Sequence, residues 1–126
     1  MVKYFSTNSG TGKFKELNLI YLWFPKYDVL NDVLKNHFVL YKPKDLVSGD
    51  FYWTQTLNNQ TFIAVADCTG HGVPGALVSV ICYNALNRAV KEFNLIEPGE
   101  ILDKTREIVI EQFSKSNENV KDGMDI

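Results

Sequence analysis

The sequence predicts an α+β fold, an antiparallel hairpin followed by two helices. Three observations predict it. Two runs of strand-forming residues, Phe51 to Thr56 and Phe62 to Ala66, flank the short turn Leu57-Asn58-Asn59-Gln60. A glycine-rich stretch with Pro74 inside it then opens an apolar helical pattern. A second, amphipathic pattern starts near Pro98.

Size and composition bound what this fold can be. A chain of 126 residues is one domain or part of one. It is 45% hydrophobic and 22% charged, with a net charge of −2. That balance suits a soluble globular protein and gives no electrostatic case for nucleic acid or an anionic membrane. The longest strongly apolar run near the N-terminus, Leu19 to Phe24, is too short to span a bilayer. Pro25 ends it and no small-residue cleavage site follows, so a signal peptide is not expected. Cys68 and Cys82 lack a metal-type spacing and read as reduced thiols of a cytoplasmic protein.

Residues 1 to 13 are polar, rich in Ser, Thr and Gly, and read as loose chain. Their Gly10-Thr11-Gly12-Lys13 piece lacks the earlier glycine and the following Ser/Thr of a phosphate loop. Residues 14 to 24 are aromatic and apolar and fit a helix or a strand. Asp28 to Asn36 reads as a short helix, with Asp28 as cap and Val29, Leu30, Val33 and Leu34 on its apolar side. His37 to Tyr41 reads as a strand stopped by Pro43. Lys42 and Lys44 read as a solvated loop, with a phosphate-facing role as the alternative.

In the hairpin, Asn58 and Asn59 supply the turn because Asn tolerates positive φ. Phe62 to Ala66 is an unbroken apolar run, which suits a strand buried on both faces. The first helix is expected from about Pro74 to Phe93, apolar nearly all round in its first half and therefore buried. The second is expected to bury Ile101, Leu102, Ile108, Val109 and Phe113. The chain from Ser114 to Gly123 is polar, and Met124-Asp125-Ile126 reads as the start of another strand.

The chemistry gathers at one end of the hairpin. With the turn centred between Asn58 and Asn59, cross-strand partners sum to 117, so Asp50 faces Asp67. Directly opposed residues share a sheet face with Cβ atoms ~4.5–5.5 Å apart. Two unpaired carboxylates so close repel, and one must keep its proton or both must find a cation. A hard divalent ion such as Mg²⁺ or Mn²⁺ resolves this with oxygen ligands and retained waters. Gly49 beside Asp50, and Gly70 and Gly72 after Asp67, leave open backbone around both acids. The plain alternative is that the two acids only cap strand ends and turns.

A rival pattern occupies the same place. Gly70-His71-Gly72-Val73-Pro74-Gly75 matches GxGxxG after a strand, with Glu92 about twenty residues on. Asp67-Cys68-Thr69 interrupts the junction, the preceding strands read as antiparallel, and Pro74 removes an N–H where a pyrophosphate would dock.

Two segments, KPKDLVSGDFYW from Lys42 to Trp53 and ADCTGHGVPGALVS from Ala66 to Ser79, resemble the SpoIIE-like serine phosphatases. These belong to the metal-dependent PPM superfamily, related to type-2C protein phosphatases. The resemblance runs from about Asp28 to the C-terminus. It implies an αββα sandwich of the PPM type, incomplete in this chain, with two Mn²⁺ or Mg²⁺ ions at one end of the sheets. Residues 26–126 match the N-terminal part of the domain, and residues 1–25 form a poorly matched extension or linker.

By that resemblance Asp50 matches the acid of the first metal motif and Asp67 the bridging aspartate. Cys68 takes the place of the residue that offers its main-chain carbonyl to a metal. The implied reaction is hydrolysis of phosphoserine or phosphothreonine by metal-activated water. His71 has a minor role at most, because the histidine acid of some relatives sits at a different offset. Asp122 and Asp125 lie in a family-like piece, and their contact with a metal is not implied.

Further metal-binding acids of the family lie downstream on strands this chain does not contain. The enzyme reading is therefore a Ser/Thr phosphatase domain of bacterial signalling, present as its N-terminal part. The alternative is a truncated, inactive binding or regulatory module, and the dinucleotide-binding domain is a distant third. The implied partners are a phosphorylated protein substrate, such as an anti-sigma-factor antagonist, and an upstream sensor module in a longer protein.

Overall fold

The computed structural model describes residues 2–3, 30, 32–34, 36–114 and 122–126. The readings made for Gly10 to Lys13 and for residues 14 to 24 lie outside the described residues. Among the described residues the elements run in order β1 Val2–Lys3, β2 Leu40–Tyr41, β3 Phe51–Leu57, β4 Gln60–Cys68, α1 Gly72–Lys91, α2 Pro98–Ser114 and β5 Met124–Asp125.

The hairpin β3–β4 is built as its turn chemistry requires. Asn58 and Asn59 sit at φ 51° and 61°. Two successive positive φ values make the two-residue turn whose twist matches that of the flanking strands. The register is the expected one: Leu57 pairs Gln60, Trp53 pairs Ala64 and Phe51 pairs Ala66. β5 adds antiparallel on the other side of β4, with Asp67 opposite Asp125 and Cys68 opposite Met124. The sheet order is thus β3-β4-β5.

One face of this sheet carries the core. Phe51 and Trp53 of β3, and Ala66 and Cys68 of β4, are buried together against Val78, Cys82, Ala85, Leu86 and Ala89 of α1. The alanines on both sides let the helix come close to the sheet. Trp53 is 2% exposed, and its indole N–H donates to Asn87 Oδ1 at 3.0 Å. A buried indole needs such a partner, and this one fixes α1 across β3. The Phe51 ring meets Tyr83 edge-on at 5.8 Å.

α2 closes the layer by packing Ile101, Thr105, Ile108 and Val109 against α1. Thr105 is 1% exposed, and its hydroxyl donates to the Ile101 carbonyl at 2.7 Å. That bond satisfies a polar group the amphipathic pattern did not include. Among the described residues no helix is long and apolar enough to cross a membrane.

Several expectations are corrected here. β4 is not buried on both faces: Ile63 and Val65 are 43% and 69% exposed. The apolar run tracks a strand with a helix on one side only, while the other side carries Ile63, Val65 and Asp67. α1 is not buried all round in its first half, since Val73 and Leu77 are 65% and 61% exposed. These two lie one turn apart on the face turned from the sheet. Leu102 is exposed at 41%, with Thr105 in the interface instead.

The strand expected over His37 to Tyr41 shortens to Leu40–Tyr41. Its partner is Val2–Lys3, from a stretch expected to be loose. Pairing with a distant strand is invisible to local composition. Leu30, Asp32 and Val33 are helical, inside the expected short helix. α1 ends at Lys91, two residues before the expected Phe93, and Asn94 at φ 53° turns the chain away. The described residues form the three-stranded sheet β3-β4-β5 with one helical layer on it, and a separate two-stranded pair β1-β2, which is part of the expected sandwich.

Candidate functional site

The site is assembled where β3 begins and β4 ends. Asp50 precedes the first paired residue of β3, and the register places it opposite Asp67 on the sheet face away from the helices. Asp125 stands opposite Asp67 on the other side. One row across the sheet therefore reads Asp50, Asp67, Asp125, beyond the exposed Val65.

Asp50 is the member whose ionisation is disfavoured. Its burial raises its pKa above the ordinary carboxylate value, and a hydrogen bond shared with Asp67 and the Asp67 charge raise it further. A hydrogen bond from the Ser48 side chain to the carboxylate works against this, and separately the Asp50 backbone N–H donates to Ser48 Oγ at 3.0 Å. Tyr41 Oη–H donates to the Asp50 carbonyl at 3.2 Å, so β2 also helps to seat this residue. Ser79, fully buried on α1, donates its hydroxyl to the Ala76 carbonyl at 2.8 Å and lies 3.5 Å from the Ser48 carbonyl.

The glycines allow backbone to meet backbone. A Cβ on Gly49 would lie 2.7 Å from the Cys68 carbonyl oxygen. A Cβ on Gly75 would lie 2.6 Å from the Gly70 carbonyl oxygen. Real Cβ contacts of that length do not occur with backbone atoms, so both positions require glycine. Gly70 and Gly72 carry the turn between β4 and α1 at φ 93° and 62°.

Cys68 divides its roles. Its thiol is buried beside Cys82, and that shared hydrogen bond together with burial pushes its pKa far up, so it stays a neutral thiol. Its carbonyl lies against Gly49 at the acid end of the hairpin. The side chain belongs to the core and the backbone to the site.

His71 precedes α1 and makes no capping hydrogen bond to it. Its Nδ1–H donates instead to Asp45 Oδ2 at 3.1 Å. Asp67, Cys68, Thr69, Gly70 and His71 line an open depression together with Asp122 and Asp125. The segment carrying the last two is tied in place by Thr69. Its N–H donates to the Gly123 carbonyl at 3.0 Å, and its Oγ1 accepts from the Gly123 N–H at 3.1 Å.

The structure thus brings Asp50, Asp67, Gly49 and the Cys68 backbone together. It sets His71, Asp122 and Asp125 around the same opening. Lys42 and Lys44 lie in the loop that carries Asp45 and are exposed. Sequence reasoning missed Asp45, Ser48, Thr69 and Ser79. Asp45 and Ser48 were visible as polar residues just ahead of Asp50, while Thr69 and Ser79 carry no local signal.

The donor set suits a hard divalent cation: two facing carboxylates that repel and a neighbouring carbonyl, all oxygen. Among the described residues no three His, Cys, Asp or Glu side chains gather closely enough to hold an ion by themselves. Asp50, Asp67 and the Cys68 carbonyl are the groups that would hold one, with water as the remaining ligands. β4 is antiparallel to both of its neighbours, which is not the βαβ setting of a dinucleotide fingerprint.

No family model and no curated protein matches the chain. Among solved structures it is similar to the SiaA-PP2C domain of Pseudomonas aeruginosa, with a TM-score of 0.69 and 31% sequence identity. The match covers 85% of this chain and 44% of that one, so the chain spans less than half the length of this neighbour. The hairpin, the third strand and the two helices are a partial PP2C-type fold.

Proposed function

We propose that this chain is the N-terminal part of a metal-dependent protein serine/threonine phosphatase domain of the SpoIIE-like kind. It acts on phosphoserine or phosphothreonine of a signalling protein, with Mn²⁺ or Mg²⁺ as cofactor. The observation that carries the reading is the facing pair Asp50 and Asp67 at the open end of a hairpin with a PP2C-type fold. When bound there, a divalent ion supplies positive charge for phosphoryl oxygens and makes water acidic near neutral pH.

The chain's own residues do the positioning. Asp50 and Asp67 hold negative charge at one point of the sheet face. Ser48 and Tyr41 fix the backbone of Asp50. Gly49 and Gly75 let three backbone segments close on one another without side chains between them.

The test is a thermal melt of the chain with Mn²⁺, with NAD⁺ and with neither, repeated on Asp67→Asn. A ligand that binds only the folded state raises the midpoint, by about 2.7 kcal/mol of stability at a hundredfold excess over its dissociation constant. The expected result is a rise with Mn²⁺ that Asp67→Asn removes. A rise with NAD⁺ alone would sink the reading. Hydrolysis of a phosphoserine peptide then separates a working enzyme from a metal-binding module.

A further inference from the structure

The depression beside Asp67 has a charge problem of its own. Asp67, Asp122 and Asp125 line it, so its described rim is strongly acidic. A phosphate monoester is a dianion and is repelled by such a rim. Among the described residues that line it, His71 has the one side chain able to carry positive charge. Its ring is 71% exposed and open to a bound group.

The ring is also held. A carboxylate only accepts hydrogen bonds, so the contact with Asp45 keeps a proton on Nδ1, and the imidazolium form has its second N–H, at Nε2, to donate to an anionic oxygen in the depression. Asp45 reaches across 26 positions of sequence to do this. The same carboxylate lies over Gly72, where a Cβ would come 3.4 Å from its Oδ2. One carboxylate therefore fixes the histidine ring and packs on the turn that bears it. His71 makes no cap to α1, so its ring has no helix-stabilising task to explain its place.

We propose that Asp45 is a positioning residue, which holds the His71 ring so that Nε2 contacts a phosphoryl group bound beside Asp67. The ligand class is a phosphate monoester dianion or its product, inorganic phosphate. The inference rests on the phosphatase reading for its substrate, and on the Asp45–His71 pair for its geometry.

The experiment is an NMR titration of the imidazole signals of the whole chain with inorganic phosphate, in the presence of Mg²⁺, which does not broaden them. The chain has two histidines, and His71→Gln assigns the signals. Phosphate is expected to shift the His71 signals. Asp45→Asn is expected to weaken the apparent phosphate affinity roughly fivefold, the value of one hydrogen bond, and Asp45→Glu to restore part of it. Asp45 is 43% exposed, so these variants leave the core intact.

A His71 signal that ignores phosphate overturns the proposal, as does an Asp45→Asn variant with unchanged affinity. Hydrolysis of an aryl phosphate by the same samples keeps the two readings apart. Turnover with a silent His71 overturns this proposal and leaves the phosphatase standing. A responsive His71 without turnover supports it and removes the activity.

Discussion

Gly75→Ala adds one methyl group, and the structure sets two opposed effects against each other. Gly75 is the fourth residue of α1, where alanine is the better helix former by about 1 kcal/mol. Its Cβ would stand 2.6 Å from the Gly70 carbonyl oxygen and 2.8 Å from the Gly70 carbonyl carbon. The best separation of such atoms is about 3.5 Å. Both opposing atoms are backbone, so relief requires the Asp67-to-Gly70 loop or the helix itself to move.

Overpacking of this kind costs about 1–3 kcal/mol, and rigid backbone on both sides places it in the upper half of that range. The net expectation is a loss of about 1–2 kcal/mol. For a chain of this size that lowers the melting midpoint by roughly 4–8 °C. Gly99→Ala is the internal control: the same change, also in a first helical turn, with nothing within 4 Å of the new Cβ. It should gain about 0.5–1 kcal/mol. Thermal melts of the metal-free chain decide it. A Gly75→Ala variant that melts at or above the parent would refute the close-approach argument.

Three further outcomes follow from the hairpin. Asp50→Asn removes a like charge opposite Asp67 and should stabilise the metal-free chain by about 0.2–1 kcal/mol at neutral pH, while abolishing the Mn²⁺-dependent rise in midpoint. The pH dependence has a definite sign. The folded chain holds the Asp50 proton to higher pH than the unfolded chain, so this stabilising contribution is complete below the unfolded value and is lost as pH rises through the folded one. Melts from about pH 4 upward should show a decline in the parent that Asp50→Asn flattens. Asn59→Gly relieves a residue held at φ 61° in the turn, and urea unfolding should show a gain of a few tenths of a kcal/mol, on the order of 0.5.

How much of this was legible in the sequence depends on the range of the interaction. The hairpin, its register and the facing of Asp50 and Asp67 were readable, because a two-residue turn fixes the parity of every later pair. The two helices were readable to within two residues at the ends that were marked, from Pro98 and from the glycines before α1. The burial of β4 was misread because an apolar run records which residues tolerate a dry environment, not whether one is supplied on both faces.

Sequence alone therefore determined the β3–β4 hairpin and its register, the facing of the acid pair and the glycines that surround it, all set by neighbours within about twenty residues. Only the tertiary structure decided the rest. It paired Asp45 with His71, Thr69 with Gly123 and Val2–Lys3 with Leu40–Tyr41. It turned the Cys68 thiol into the core while leaving its carbonyl at the site. Those outcomes depend on which distant backbone segments can approach without a side chain between them, and that is a property of packing in space rather than of order along the chain.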